Sequence, residues 1–292
     1  MLPQRANIAL VIVARDAATT IARCIMSART LVKSVLVVDS FSTDDTVDVA
    51  RREGAVVLQR PFINYSDQRN WASDQIDSSA DWMLHLDSDE YLTPELLAEI
   101  SSTIPTASGE TSGFLMRRRV VFLGREMRHG GLNATWHLRM YRPHRGWCEE
   151  RRYDQHFMAD GRVEQLRGCF VDDNGSSLER WTDRHNRWSS AEANEALNPS
   201  PVSRRVKPAL LGSPISRKRW LKDRAWSRLP ILVRAFAYFA YRYFIRLGFL
   251  DGREGLIFHV LQGFWFRFLV DSKIFEQTRS QRQLAYDPKN LT

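Results

Sequence analysis

An alternation of apolar and amphipathic segments over residues 7–86 is the feature that most constrains the fold of this chain. Apolar, β-branched segments of buried-strand length predict four strands, at 7–14, 34–40, 55–60 and 82–86. Helical spacing of apolar residues predicts three intervening helices, at 17–30, 44–54 and 67–76. This order predicts an α/β fold, a Rossmann-like and mostly parallel sheet with flanking helices on both faces.

Carboxylates follow two of these predicted strands. Asp39 ends the second strand, and Asp87, Asp89 and Glu90 follow the fourth. Ligands of parallel sheets bind outside the carboxyl ends of the strands, so these residues are expected along one edge. Carboxylates this close raise one another's pKa unless a cation or full hydration compensates them.

This pattern suits the binding of a nucleotide diphosphate. Asp39 could accept hydrogen bonds from a uracil N–H or from ribose hydroxyls. Asp87 and Asp89 could hold Mg²⁺ or Mn²⁺ that bridges two phosphates. The alternative, in which Asp89 and Glu90 merely begin a helix, remains open. His85 alternates with Leu84 and Leu86, which favours a structural role.

Four segments together carry a family resemblance: VIVARDAATTIARCIMSART, VLVVDSFSTDDTVDVARREGA, QRNWA and DWMLHLDSDEYLTPEL. In order and spacing they resemble the GT-A domain of family 2 inverting glycosyltransferases, especially the branch with lipopolysaccharide-core glucosyltransferases. The resemblance spans roughly residues 7–180. The family often has Asn-Glu where this chain has Arg15-Asp16.

The resemblance implies roles for individual residues. Asp16 and Asp39 would lie near the base and ribose, Asp87 near the nucleotide, and Asp89 would bind the Mn²⁺ or Mg²⁺ held by the diphosphate. It also implies substrate contacts for Arg15 and Arg69.

Inverting transfer needs one further group, a base that takes the proton of the acceptor hydroxyl. The segment 148–157 concentrates acidic and imidazole side chains. Asp154 is the first candidate; His156 is the second, as base or metal-side ligand, and Glu150 remains an alternative. An ordinary ion pair with Arg151 or Arg152 is the competing interpretation of Asp154.

Charge and composition predict a different C-terminal region. The net charge is +8, and residues 215–292 contain 15 Lys or Arg against 6 Asp or Glu. We expect a GT-A catalytic domain over 1–197, a linker or mobile loop over 198–219, and an aromatic, basic, amphipathic helical region over 220–292. Helical projection places the guanidinium groups of one segment on one stripe: Arg228, Arg234, Arg242 and Arg246. That stripe suits anionic headgroups. The alternative is a helical bundle that packs on the catalytic domain or on a second copy in a homo-oligomer.

The predicted function is metal-dependent transfer of a sugar, from a UDP-sugar to a glycan or lipid-linked acceptor, in lipopolysaccharide or cell-envelope synthesis. Three widely spaced cysteines and the lack of a leader pattern favour a cytoplasmic location, peripheral on the inner membrane. Basic and aromatic residues are segregated, so nucleic acid is not expected as a partner. A nucleotidyltransferase and a non-catalytic nucleotide-sugar-binding membrane protein are the alternative functions.

Overall fold

The computed structural model describes residues 6–132, 135–151, 154–173, 175, 177–199 and 229–285. The chain divides into two compact units. The first comprises Met1–Arg128, Leu132–Glu150 and Gln155–Gly175, and the second comprises His129–Gly131, Arg151–Asp154 and Ser176–Thr292.

The first unit contains the predicted strand and helix alternation. Its strands are β1 (Ile8–Ala14), β2 (Ser34–Asp39), β3 (Val56–Gln59), β4 (Trp82–Asp87), β5 (Glu90–Leu92), β6 (Thr111–Phe122), β7 (Arg125–Glu126), β8 (Trp136–Tyr141), β9 (Gly146–Cys148), β10 (Phe157–Ala159) and β11 (Arg162–Asp173). Its helices are α1 (Ile21–Ala28), α2 (Thr46–Arg52), α3 (Tyr65–Asp74) and α4 (Pro94–Thr103), followed by a 3₁₀ turn at Ile104–Thr106.

Nine strands form one mixed sheet in the order β3-β2-β1-β4-β8-β6-β11-β5, with β7 paired to β6. The four strands predicted from the N-terminal part are parallel to one another. β8 runs antiparallel to both β4 and β6, whereas β11 is parallel to β6. β9 and β10 form a separate antiparallel hairpin. The predicted α/β class, with a mostly parallel sheet and flanking helices, is confirmed.

Both faces of the parallel part of the sheet are covered. On one face, Leu10 and Ile12 of β1 pack in a core that includes Ile21 and Ile25 of α1. On the other face, Val11 packs in a second cluster with residues that include Ala72 of α3. Alternate residues of a strand point to opposite faces, so burial of both sets explains the continuous apolar sequence of β1.

The start of α4 follows the local sequence. Thr93 precedes the helix and its Oγ1 accepts a hydrogen bond from the backbone N–H of Leu96 at 3.3 Å. Pro94 occupies the first helical position, where the missing N–H costs nothing. Glu90, by contrast, begins β5 rather than a helix.

The second unit is helical in its described part. It contains α5 (Leu178–Leu197), α6 (Val233–Ala240), α7 (Gly252–Phe258) and α8 (Phe266–Ala285), with π-helical turns at Tyr241–Ile245 and His259–Trp265 and a 3₁₀ turn at Gly248–Asp251. Ala193 of α5 packs with Phe266 and Val270 of α8. This contact groups α5 with the C-terminal helices, whereas the predicted division at residue 197 placed it with the sheet. Nearly all of the predicted linker, 198–219, lies outside the described residues.

The prediction that four arginines form one stripe facing lipid headgroups is wrong for two of them. Arg234 Nε donates to Asp271 Oδ1 at 2.8 Å, and Asp271 is buried. Arg242 is buried too, and its Nε donates to the carbonyl oxygen of Gly130 at 3.0 Å. Both guanidinium groups therefore bind acceptors within the second unit. Helical projection could not show this, because the acceptors are distant in sequence. Arg246 is exposed, and Arg228 lies outside the described residues.

Among the described residues, no helix combines the length and the apolar character that crossing a membrane requires.

Candidate functional site

Strand register aligns the carboxylates of the first unit. β1 lies between β2 and β4, with Ala14 paired to Asp39 and Val13 paired to Asp87. Asp39 and Asp87 therefore flank the carboxyl end of β1, where the chain continues into Arg15 and Asp16. The structure brings these predicted residues to one edge of the sheet, where open α/β sheets bind their ligands.

A hydrogen-bonded chain joins the loops that follow β1 and β2. The Ser42 hydroxyl contacts Asp39 Oδ1, and the backbone N–H of Asp16 donates to Ser42 Oγ at 2.8 Å. Asp39 is buried and also accepts from the Ser42 N–H and from Gln59 Nε2, each at 3.0 Å. Asp16 Oδ1 in turn accepts from the Thr43 N–H at 2.8 Å. The contacts of Asp16 and Asp39 with a nucleotide stay predictions, and sequence reasoning missed Ser42, which links them.

The Asp87 carboxylate lies between two guanidinium groups. Arg69 Nη2 donates to Oδ1 at 2.6 Å, and Arg139 Nη2 donates to Oδ2 at 3.1 Å. Burial opposes ionisation of this carboxyl, but the two guanidinium groups prevail and hold its pKa well below its usual range. Arg69 comes from α3 and Arg139 from β8, so two distant elements meet at Asp87.

Glu90 completes this charged network. Its Oε2 accepts from the Asp87 backbone N–H at 2.9 Å, and its Oε1 contacts Arg139 Nη2. Burial raises the pKa of Glu90 to about 8, against the lowering effect of the Arg139 guanidinium. The negative charge of Asp87 adds to the increase. We name Arg69, Arg139, Asp87 and Glu90 the arginine clamp.

Sequence reasoning assigned no role to Arg139. It stands between Leu138 and Met140 in β8, and its side chain is 7% exposed. A charged residue inside an apolar strand is the signal that could have indicated a buried ion pair, because guanidinium groups are rarely buried without one.

Asp89 lies in the two-residue turn between β4 and β5. Its backbone carbonyl oxygen accepts from the Asp173 N–H at 3.0 Å, which fixes the turn against the end of β11. The side chain is partly exposed. Of the two predicted metal ligands, Asp87 is therefore bound by the arginines of the clamp, whereas Asp89 lies in the turn after the strand.

A divalent metal at this sheet edge would have few protein ligands. In the part of the chain that the structure describes, no three His, Cys, Asp or Glu side chains form a ready-made metal site. Mg²⁺ is commonly held by one or two carboxylates together with substrate phosphates and water, and carboxylates also suit Mn²⁺. Asp89 can supply one such carboxylate at the sheet edge. The residues thus fit a metal whose coordination a diphosphate completes.

His85 has the structural environment expected of it. Its Nε2 lies 2.8 Å from the Tyr141 hydroxyl, and its ring packs against Phe157 with centroids 4.5 Å apart. Burial lowers the pKa of His85 to about 3, and the charges of Arg69 and Arg139 add to this effect. A neutral, packed imidazole is thus part of the core next to the arginine clamp.

The candidate bases separate between the two units. Asp154 is exposed, has a left-handed backbone with φ of 57°, and belongs to the second unit. His156 belongs to the first unit, as do Glu149 and Glu150. Glu150 is exposed, whereas Glu149 is buried and its Oε2 lies 3.8 Å from His156 Nδ1. The catalytic roles of Asp154 and His156 stay predictions.

Comparison with known families identifies the domain that contains this sheet edge. The family model described as Glycosyl transferase family 2 matches residues 9–154, which contain β2 to β9, all of β1 except Ile8, and the arginine clamp. The chain belongs to glycosyl transferase family 2. The match ends at Asp154, so it includes Asp16, Asp39, Asp87 and Asp89 but not His156.

Two relatives are themselves described only as uncharacterized glycosyltransferases. A protein of Rickettsia felis is 42% identical over 94 residues, which cover 32% of this chain and 32% of the relative. This chain thus matches about a third of that relative's length. A protein of Rickettsia typhi is 24% identical over 288 residues, covering 95% of this family 2 chain and 90% of the relative.

Among solved structures, a glucosyl-3-phosphoglycerate synthase from Mycobacterium tuberculosis, in complex with Mn²⁺, UDP and glucosyl-3-phosphoglycerate, is 25% identical. The alignment covers 40% of this chain and 44% of that protein, with a TM-score of 0.32. Likeness at this level assigns neither a substrate nor a metal to this family 2 chain.

Proposed function

We propose that this chain is a metal-dependent inverting glycosyltransferase that uses a UDP-sugar. The observation that carries the proposal is the strand register that aligns Asp39 and Asp87 at the end of β1, within a family 2 domain. Asp16 and Asp39 would bind the base and ribose, assisted by Arg15. Arg69 and Asp87 would border the diphosphate, and Asp89 would hold Mn²⁺ or Mg²⁺ against it.

The reaction would be a single displacement at the anomeric carbon. A base from the segment 148–157, Asp154 or His156, would accept the proton of the acceptor hydroxyl. When bound, the divalent metal supplies charge neutralisation for the diphosphate leaving group. Arg69, one of the two guanidinium groups of the clamp, lies at the same edge and would lie close to an anionic donor.

A screen of nucleotide sugars tests this function. We expect the purified chain with Mn²⁺ to hydrolyse a UDP-sugar slowly to UDP and free sugar, since water can replace the acceptor. Product would be measured by chromatography, with a metal chelator as the control. Binding of a UDP-sugar without any turnover would favour the non-catalytic alternative. Release of pyrophosphate from a nucleoside triphosphate and a sugar phosphate would favour a nucleotidyltransferase.

We further propose that the acceptor is a glycan or lipid-linked intermediate of lipopolysaccharide or another cell-envelope polymer, met at the cytoplasmic face of the inner membrane. The second unit supports this with a run of exposed apolar side chains, Phe244, Ile245, Leu247, Phe249 and Leu250. Residues 241–250 contain no acidic residue, and Arg246 and Arg253 are exposed. Apolar side chains beside exposed arginines suit an anionic lipid surface.

Vesicle binding separates the electrostatic contribution of the arginines from the contribution of the apolar side chains. Changing Arg246 and Arg253 to Gln should weaken binding to phosphatidylglycerol vesicles by about fivefold per residue at low salt. Ile245→Glu should weaken binding at every salt concentration, because it replaces an apolar residue that is 72% exposed. Flotation would measure both effects, with Ile63→Glu in the first unit as the matched control, since Ile63 is 68% exposed. Unchanged flotation together with dissociation of an oligomer in sedimentation would show that this surface joins protein copies instead.

A further inference from the structure

The geometry points to Glu149 as a positioning residue for His156, with His156 as the base of the reaction. This inference rests on the proposed function and selects between its two candidate bases. It depends on three observations: the pairing of the β9–β10 hairpin, the burial of Glu149, and the attachment of the hairpin to the arginine clamp.

The hairpin brings Glu149 and His156 face to face. Cys148, the last residue of β9, pairs with Phe157, the first residue of β10. The next residues outward are Glu149 and His156, and the Glu149 N–H donates to the His156 carbonyl oxygen at 2.8 Å. Glu149 Oε2 lies 3.8 Å from His156 Nδ1. The backbone pairing therefore sets the carboxylate against one defined nitrogen of the ring.

The two side chains of this pair differ in burial. The Glu149 side chain is fully buried, whereas that of His156 is 15% exposed. A buried carboxylate needs hydrogen-bond donors or a cation nearby, because ionisation away from water is costly. The imidazole is thus the member of the pair that can reach a substrate, and the carboxylate is the member that can orient it.

The hairpin is also fastened to the element that carries Arg69. Asn70, the next residue of α3, donates from Nδ2 to the Cys148 carbonyl oxygen at 2.9 Å and accepts from the Cys148 N–H at 2.7 Å. Phe157 lies against the same network, with its ring centroid 5.4 Å from the Arg69 guanidinium carbon. The hairpin that carries the Glu149–His156 pair is therefore fixed to the helix that carries Arg69.

This arrangement suits proton removal from an acceptor hydroxyl. A carboxylate facing Nδ1 favours the tautomer with the proton on Nδ1, so Nε2 carries the lone pair. The present 3.8 Å separation exceeds a hydrogen bond, and catalytic hydrogen bonds often shorten only when substrate is bound.

The transfer is a single displacement at the anomeric carbon. His156 Nε2 takes the acceptor proton as the acceptor oxygen bonds to the anomeric carbon. The bond from that carbon to the diphosphate oxygen breaks, and its electron pair leaves with the diphosphate.

Kinetics and binding of single and double variants test the inference. His156→Ala should lower kcat for UDP-sugar hydrolysis by roughly 10²- to 10⁴-fold, the usual contribution of a general base. Glu149→Gln should lower kcat by about 10- to 100-fold, as loss of a carboxylate partner of a functional histidine typically does. UDP affinity measured by calorimetry should stay within about twofold in both. Because the two residues act as a unit, the double variant should lose little beyond His156→Ala.

The matched control is Glu164→Gln, which alters a partly exposed glutamate of the first unit that accepts from Thr111. It should keep wild-type kcat. Nitrogen-15 NMR of the histidine ring gives a readout that does not depend on turnover. Glu149→Gln should reduce the fraction of His156 with its proton on Nδ1, whereas Glu164→Gln should not.

The outcomes separate this inference from the proposed function. If the wild-type chain turns over no nucleotide sugar, the proposed function fails, and the NMR result alone then decides whether Glu149 orients the ring. If the wild-type chain is active but His156→Ala keeps its kcat, the inference is wrong and Asp154 becomes the base to test. An unchanged tautomer in a folded Glu149→Gln variant, shown by normal UDP binding, would also overturn it.

Discussion

Asp89→Asn is expected to lower both Mn²⁺-dependent UDP affinity and UDP-sugar turnover by roughly 100-fold or more. Asp89 is the carboxylate at the β4–β5 turn that the arginine clamp does not include. An amide is a weaker ligand for a hard cation, and metal stabilisation of a leaving diphosphate amounts to several kcal/mol. Calorimetric titration of UDP, with Mn²⁺ and with a chelator, measures the binding part directly.

A control variant shows whether this loss is specific to the turn. Asp48→Asn removes an exposed charge in the first turn of α2 and should change neither UDP affinity nor turnover. The chelator should lower UDP affinity of the wild-type chain to the level of Asp89→Asn, with no further effect on that variant. Full Mn²⁺-dependent activity in Asp89→Asn would refute the assignment of the metal to this residue.

Arg139→Met is expected to destabilise the first unit by about 3–5 kcal/mol, the usual cost of removing one partner from a buried ion pair. Arg139 is buried and contacts both Asp87 and Glu90. Without the guanidinium, Glu90 keeps the high cost of burial, and Asp87 retains only Arg69. Urea denaturation, followed by a spectroscopic probe of the sheet, would give the change in free energy of unfolding.

Two further variants identify the cause of that loss. Arg118→Met makes the same substitution in the neighbouring strand β6, where Arg118 pairs with the partly exposed Asp172 at 3.3 Å. That loss should stay below about 1 kcal/mol. Adding Glu90→Gln to Arg139→Met should restore part of the lost stability, because a neutral amide avoids the cost of burying a carboxylate or protonating it on folding. A loss below 1 kcal/mol for Arg139→Met itself would show that the clamp does not stabilise the fold.

Local sequence patterns were sufficient for the parallel part of the sheet. β1 to β4 and α1 to α3 lie where apolar runs and helical spacing predicted them. A strand buried on both faces must be apolar throughout, and a helix packed on it must carry one apolar stripe. The placement of Asp39 and Asp87 at one edge follows from the same alternation, since parallel strands end on the same side.

The antiparallel part of the sheet and the arginine clamp were not predicted. β8 inserts between β4 and β6, although about fifty residues separate β4 from β8 along the chain, and this insertion brings Arg139 to Asp87 and Glu90. The same limit explains the error in the C-terminal arginine stripe, where Asp271 pairs with Arg234 from 37 residues away. Neither partner is visible in a local window of sequence.

The sequence by itself determined the α/β class, the four parallel strands, the carboxylates at their ends and the family to which the motifs point. These features depend on periodicity and short-range order, which a linear chain displays directly. Only the tertiary structure decided which of those carboxylates are engaged, Asp39 by Ser42 and Gln59 and Asp87 by two arginines. It alone also placed Glu149 beside His156. The physical reason is that charge pairing and burial depend on distances in space, and the partners are brought together by strand order rather than by neighbouring positions in the chain.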